Sequence, residues 1–77
     1  MNTLDKIKPG KTVYIVRLDS EGAMRRRLLD LGLTPKTVVM VRKVAPLGDP
    51  MEIYLRGYEL TIRAEDAGKI LVDEAAP

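Results

Sequence analysis

The sequence has no cysteine, no histidine, no tryptophan and no phenylalanine, and three tyrosines are its only aromatic residues. Each absence removes a class of chemistry. Without cysteine there is no disulfide and no thiol nucleophile; without histidine there is no imidazole base, and the usual zinc ligands go with the two together. A reducing, cytoplasmic setting fits such a chain. Long apolar runs are also missing. The longest, such as Val38 to Val41, fall far short of a membrane span, and the opening MNTLDKIKPG holds no apolar core of a signal peptide. The expectation is a soluble protein with no direct insertion into a membrane. Nor is there a block of one charge: 13 lysines and arginines are interspersed with 11 acids for a formal net charge of +2. That small excess is not a basic tract, and no nucleic-acid partner is expected from it.

Seventy-seven residues make one domain, 1–77. A chain this short buries only about 60% of the surface it exposes when unfolded. Truncating one core leucine, at about 2–5 kcal/mol, therefore threatens the whole fold.

The most informative stretch is Met24 to Pro35, MRRRLLDLGLTP. Met24, Leu28 and Leu31 recur at the spacing of one helical face, Ser20 stands where it can cap the helix, and Gly32 follows the last apolar position. With Leu31 as C-cap, Gly32 takes the left-handed position and Leu33 reaches back to Leu28, the pattern of a Schellman motif. Thr34 and Pro35 then stop the helix and turn the chain into a β-branched run.

Around this helix the pattern is that of strands. Lys8-Pro9-Gly10-Lys11 suits a type II turn. Lys11 to Leu18 is apolar on both faces, which predicts a strand covered on each side for part of its length. Thr37 to Ala45 reads as the longest strand, with Val39, Val41, Lys43 and Ala45 on one face and Val38, Met40, Arg42 and Val44 on the other. Met51 to Arg56 and Tyr58 to Arg63 alternate cleanly about a turn at Gly57, with Leu60 and Ile62 inward. Ala64 to Gly68 has room for one helical turn, and Ile70 to Val72 closes the sheet ahead of a loose tail, Asp73 to Pro77. The fold class is mainly β: a small, partly open barrel of five strands, with one short helix between the first two and a helical turn before the last.

The succession Lys8-Pro9-Gly10, MRRRLLDLGLTP, Ala45-Pro46-Leu47-Gly48-Asp49-Pro50-Met51, Leu55-Arg56-Gly57-Tyr58-Glu59-Leu60 and Ile62-Arg63-Ala64-Glu65-Asp66-Ala67 resembles the FeoA family of ferrous iron transport accessory proteins. No single piece is specific, but their order and spacing are. The resemblance implies an SH3-like barrel, a bacterial cytoplasmic location, and a partnership with FeoB, a membrane permease that carries a cytosolic GTPase domain. It implies neither an enzyme nor a cofactor. One departure concerns Lys36, where the family usually carries glycine. A type II turn there would hold a lysine at positive φ, and a type I turn would avoid that.

Candidate sites follow from the helix and from the Pro46–Pro50 loop. At about 100° per residue, Arg25, Leu29 and Arg26 fall near 100°, 140° and 200° from the apolar stripe. Leu29 between two arginines resembles a small interface centre with a charged rim. The alternative is an ordinary exposed leucine, or a helix set deep enough to cover it. Leu47 and Asp49 are the loop's candidates for contact with a partner. Arg26 and Asp30 are spaced to pair. Arg25, Arg26 and Arg27 span most of a turn and cannot all face one phosphate, while Arg27 flanks the apolar face. Tyr54 and Tyr58, astride Gly57, form an exposed aromatic pair or simply pack across strands. The carboxylates of Asp19, Glu21, Asp49, Glu52, Glu65 and Asp66 are scattered, so no metal site is expected. No nucleophile is paired with a base, and no glycine-rich loop opens a helix. The reading is an interaction module docking on a FeoB-like permease. Its alternative is an SH3-like module of the nucleic-acid-binding or metal-regulator type.

Overall fold

The computed structural model describes residues 1–74. Six antiparallel strands form one sheet: β1 (Asn2–Thr3), β2 (Thr12–Leu18), β3 (Val38–Val44), β4 (Met51–Leu55), β5 (Tyr58–Ile62) and β6 (Ile70–Glu74), in the order β1-β6-β2-β3-β4-β5. The helix α1 (Gly22–Asp30) lies between β2 and β3, and a single turn of helix, α2 (Ala64–Ala67), precedes β6. The expected mainly-β architecture is present with one strand more than the five expected. Asn2 and Thr3 pair with Val72 and Leu71, a strand too short to announce itself by alternation. The barrel is open, with β1 and β5 as its edges. The closing strand is also longer than Ile70–Val72. Asp73 and Glu74 pair with Tyr14 and Val13, so they are not tail, and residues 75–77 lie outside the described part.

Alternation puts Val13 and Ile15 of β2, Val39 and Val41 of β3, Ile53 and Leu55 of β4, and Ile70 and Val72 of β6 into one fully buried cluster with Leu4, Leu28 and Leu33. A bulge between Val41 and Lys43 breaks the period of β3. Past it, Val44 rather than Lys43 stands beside the buried Met51, which corrects the face expected for both. Burial is one-sided. On the opposite face of β2 and β3, Tyr14 and Met40 are half-buried and Val38 is exposed.

The end of α1 is the Schellman motif that the sequence predicts. The Leu33 amide donates to the Leu28 carbonyl at 3.1 Å, the Gly32 amide to the Leu29 carbonyl at 2.9 Å, and Gly32 has φ 94°. The start differs. Glu21 is the N-cap and no side chain caps the helix; the Ser20 hydroxyl is buried without a partner. Gly22 has φ 61°, so the chain turns into the helix one residue later than a Ser20 cap requires.

The Thr34–Thr37 turn is type II. Thr37 donates to the Thr34 carbonyl at 3.1 Å and Lys36 sits at φ 75°. The Lys36 amide also reaches the Ile15 carbonyl at 2.7 Å, which ties the turn to β2 and holds lysine where glycine is easier. The Arg56–Gly57 hairpin has φ 46° and 85° at its two central residues, a type I′ turn that matches the twist of β4 and β5.

Two substitutions at positive φ should act in opposite directions. Lys36→Gly relieves a left-handed lysine and should raise stability by about 0.5 kcal/mol, once the unfolded-state freedom of glycine is set against the gain. Gly32→Ala should lower it by about 2 kcal/mol, since an added Cβ at φ 94° also meets Arg56 Cδ at 3.3 Å and the Tyr58 hydroxyl at 3.3 Å. Shifts of the urea midpoint at unchanged slope would read both.

Hydrogen bonding with Glu59 holds the Glu52 carboxyl above its ordinary pKa. Desolvation and repulsion by the same neighbour add to this, while Lys43 and Arg42 oppose it. A folded-state pKa above the unfolded one contributes stability that is full below the unfolded value and is lost as pH rises through the folded one. Glu52→Gln should therefore melt above the parent at neutral pH, with the difference closing as pH falls to about 4.

Candidate docking site

The residues expected to meet a partner are not equally free. The Arg25 guanidinium donates to the Leu18 carbonyl at 3.2 Å, which ties α1 to the end of β2. Arg26 is exposed, and no ion pair joins it to Asp30 among the described residues; the spacing is right but the contact is not made. Leu29 is half-buried against the core rather than an exposed interface centre. The helix seats deep enough that its covered stripe extends past Met24, Leu28 and Leu31, a width that depends on packing and not on periodicity.

In the loop, Leu47 is fully exposed at φ 75°. It sits at the tip of a 3₁₀ turn, Pro46–Gly48, closed by the Gly48 amide on the Ala45 carbonyl at 2.8 Å. The Ala45 amide reaches the Pro50 carbonyl at 3.0 Å, and the Asp49–Pro50 peptide is cis. Asp49 is exposed but not unengaged, its carboxylate accepting from the Ala64 amide at 2.9 Å. It thus caps α2, whose own N-cap residue, Arg63, has no side-chain oxygen to do so.

The helix and the loop do border one cleft, of about 270 Å³. Its walls are Arg27, Leu28 and Leu31 of α1, Pro50 of the loop, Thr61 and Ile62 of β5, then Arg63 and Asp66. Arg27 and Pro50 make the junction, rather than Arg25 and Arg26. Two guanidinium groups on apolar walls, with the buried Asp66 beside them, suit a protein segment that presents a carboxylate next to an apolar side chain. The described residues hold no group of three or more histidine, cysteine or carboxylate side chains able to share a metal ion.

Tyr54 and Tyr58 do not form a pair. Tyr54 stands opposite Glu59 and lies beneath the Arg42 guanidinium, 5.5 Å from the ring centroid. Tyr58 stands opposite the buried Leu55 on the other face, and its hydroxyl donates to the Leu31 carbonyl. Arg56 donates to the Gly32 carbonyl at 3.3 Å and to the hydroxyls of Thr34 and Thr37 at 2.8 and 2.9 Å. The β4–β5 hairpin thus covers the C-terminal end of α1. Alternation shows the hairpin but gives no sign of these contacts, which join residues 19 to 27 positions apart.

Comparison with known proteins agrees with this geometry. A family model described as the FeoA domain matches residues 2–74. A curated relative from Porphyromonas gingivalis, the Fe(2+) transport protein A/Fe(2+) transporter FeoB fusion protein, is 34% identical over 70 residues; the match covers 91% of this chain and 8% of that one. The solution structure of FeoA from Chlorobium tepidum is 39% identical, with a TM-score of 0.87 over 96% of this chain and 70% of the other. A crystal structure of FeoA from Stenotrophomonas maltophilia complexed with zinc, described as a prokaryotic SH3 domain protein, is 21% identical; its TM-score of 0.83 over 95% of this chain and 91% of the other supports the SH3-like fold. With a domain model spanning all but a few residues and a fold shared with these relatives, the chain belongs to the FeoA family, linked to ferrous iron transport.

Proposed function

We propose that this FeoA domain is a non-enzymatic cytoplasmic module that docks on the cytosolic part of a FeoB-like permease and biases its conformation by binding one state more tightly than another. The observation that carries the reading is the Porphyromonas gingivalis relative, in which a segment 34% identical to this chain shares one polypeptide with a FeoB transporter. No helix among the described residues is long and apolar enough to cross a membrane. The cleft beside α1 and the Leu47 tip supply the surface. An exposed apolar side chain on a pinned turn meets a partner with little ordering cost, and the guanidinium groups of Arg27 and Arg63 select for acid.

The test is binding of the chain to its own organism's FeoB, full length in nanodiscs, with and without a GTP analogue. Nucleotide-dependent association is expected. Leu47→Asp, and Arg27→Glu with Arg63→Glu, should each weaken it at least about tenfold while leaving the melting temperature of the free chain nearly unchanged. Association untouched by either set would exclude this face, and absence of association in every nucleotide state would overturn the reading.

A further inference from the structure

A second concavity, of about 400 Å³, shares no residue with the cleft beside α1. It is lined by Pro35, Lys36 and Thr37 of the Thr34–Thr37 turn, Val38 at the start of β3, and Arg56 of the β4–β5 hairpin. Two of these residues are cations and none is an acid. Neither Lys36 nor Arg56 joins an ion pair among the described residues. Acids on the neighbouring strands are engaged or distant. Glu59 pairs with Arg42 at 3.6 Å and shares a hydrogen bond with Glu52, while Asp73 stands two strands from Val38, beyond Tyr14.

Counting hydrogens shows what the concavity has left to offer. Arg56 spends Nε on the Gly32 carbonyl at 3.3 Å and both hydrogens of Nη2 on the hydroxyls of Thr34 and Thr37, at 2.8 and 2.9 Å. Its Nη1 keeps two unused donors. The two hydroxyls share one proton across 2.7 Å, and the other hydroxyl proton has no acceptor among the described residues. The carbonyls of Gly32, Thr34 and Thr37 are already taken, by Arg56 and by the amides of Thr37 and Ile15. Donors remain and acceptors are scarce. Lys36 adds its ammonium group from a backbone held at φ 75°, where glycine is easier, by its own amide on the Ile15 carbonyl at 2.7 Å. Non-glycine residues fixed in the left-handed region cluster at ligand clamps, and here the residue so fixed is a cation.

We propose that this concavity binds the phosphate group of a phosphate monoester. Charge and geometry both favour it over a carboxylate. A phosphate monoester carries about −1.5 to −2 at neutral pH, which the two unpaired cations balance. A carboxylate is best met by two parallel donors of one guanidinium, and Arg56 has none left, because Nε and Nη2 are committed inside the chain. The remaining donors come singly, from Arg56 Nη1, the Lys36 ammonium and one hydroxyl of the threonine pair. Three separate directions suit the oxygens of a tetrahedral group. Pro35 and Val38, the latter 54% exposed, supply an apolar wall for the carbon that bears the phosphate. That ester is a soluble small molecule or a lipid headgroup, and the site's chemistry is the same for both.

Amide chemical shifts of the full chain, titrated with glycerol 3-phosphate and with inorganic phosphate at fixed ionic strength, decide this. Saturable shifts at Lys36, Thr37, Val38 and Arg56 are expected, with a Kd of about 1–10 mM. Lys36→Gly should weaken binding at least about fivefold although it relieves the backbone, so the loss cannot come from unfolding. Lys36→Arg should stay within about twofold of the parent, since the charge is kept. Arg56→Gln should weaken binding about tenfold, with circular dichroism to show the variant folded, because Arg56 also holds the end of α1. Vesicles containing phosphatidic acid separate the two sources. Retention on them that Lys36→Gly abolishes, with none on phosphatidylcholine, identifies a lipid headgroup; binding of glycerol 3-phosphate without retention identifies a soluble ester. No saturable shift at these amides up to about 50 mM of either phosphate, together with no retention on vesicles, would overturn the proposal. So would shifts that chloride at the same ionic strength reproduces, or binding that Lys36→Gly leaves unchanged.

Discussion

The constraint on which the structure turns is the end of α1. Nine residues of helix must stop, reverse and feed β3 within a few positions, and the last carbonyls must find donors. Gly32 supplies the left-handed residue, and the Leu28 and Leu29 carbonyls are met by Leu33 and Gly32 from within the chain. The carbonyls of Leu31 and Gly32 are met from outside, by Tyr58 and Arg56 at the far hairpin. Those two side chains also fill the space a Cβ on Gly32 would need. A local backbone solution and a long-range one therefore depend on the same glycine. The cleft forms where α1, held at that end, runs beside β5.

Much of this was legible in the sequence because it is local. The Gly32 motif, the Lys8–Lys11 turn and the clean alternation on either side of Gly57 are each decided by neighbours a few positions away. The Lys8–Lys11 turn closes at 3.2 Å with Gly10 at φ 92°. What could not be read depends on distance or on unmarked irregularity. The bulge in β3 leaves no trace in Val-Val-Met-Val-Arg-Lys-Val, yet it exchanges the faces of Lys43 and Val44. Two residues of β1 are too few to show a period. Leu29 lies off the helical stripe by angle alone and is covered only because of how deep the helix sits. Asp49 reads as a polar loop residue until Ala64 is placed against it.

The candidate site was legible by element more than by residue. The helix and the Pro46–Pro50 loop do meet, but Arg25 is occupied by the Leu18 carbonyl and Asp49 by the Ala64 amide, and the charged residues that line the cleft are Arg27, Arg63 and Asp66. Residues that hold a small fold together and residues that face outward are drawn from the same polar set. Only coordinates separate them.

The pairing of Asn2 with Val72 sets the first and last strands side by side at one edge of the sheet. Polypeptide attached before β1 and polypeptide attached after β6 would thus leave from the same corner. A flexible tether at either point would start from nearly the same place on the domain and convert a bimolecular encounter into an intramolecular one, with an effective concentration in the millimolar range for a short linker. For a module of weak intrinsic affinity, the order in which it is joined to a larger protein would then matter less than the length of the join.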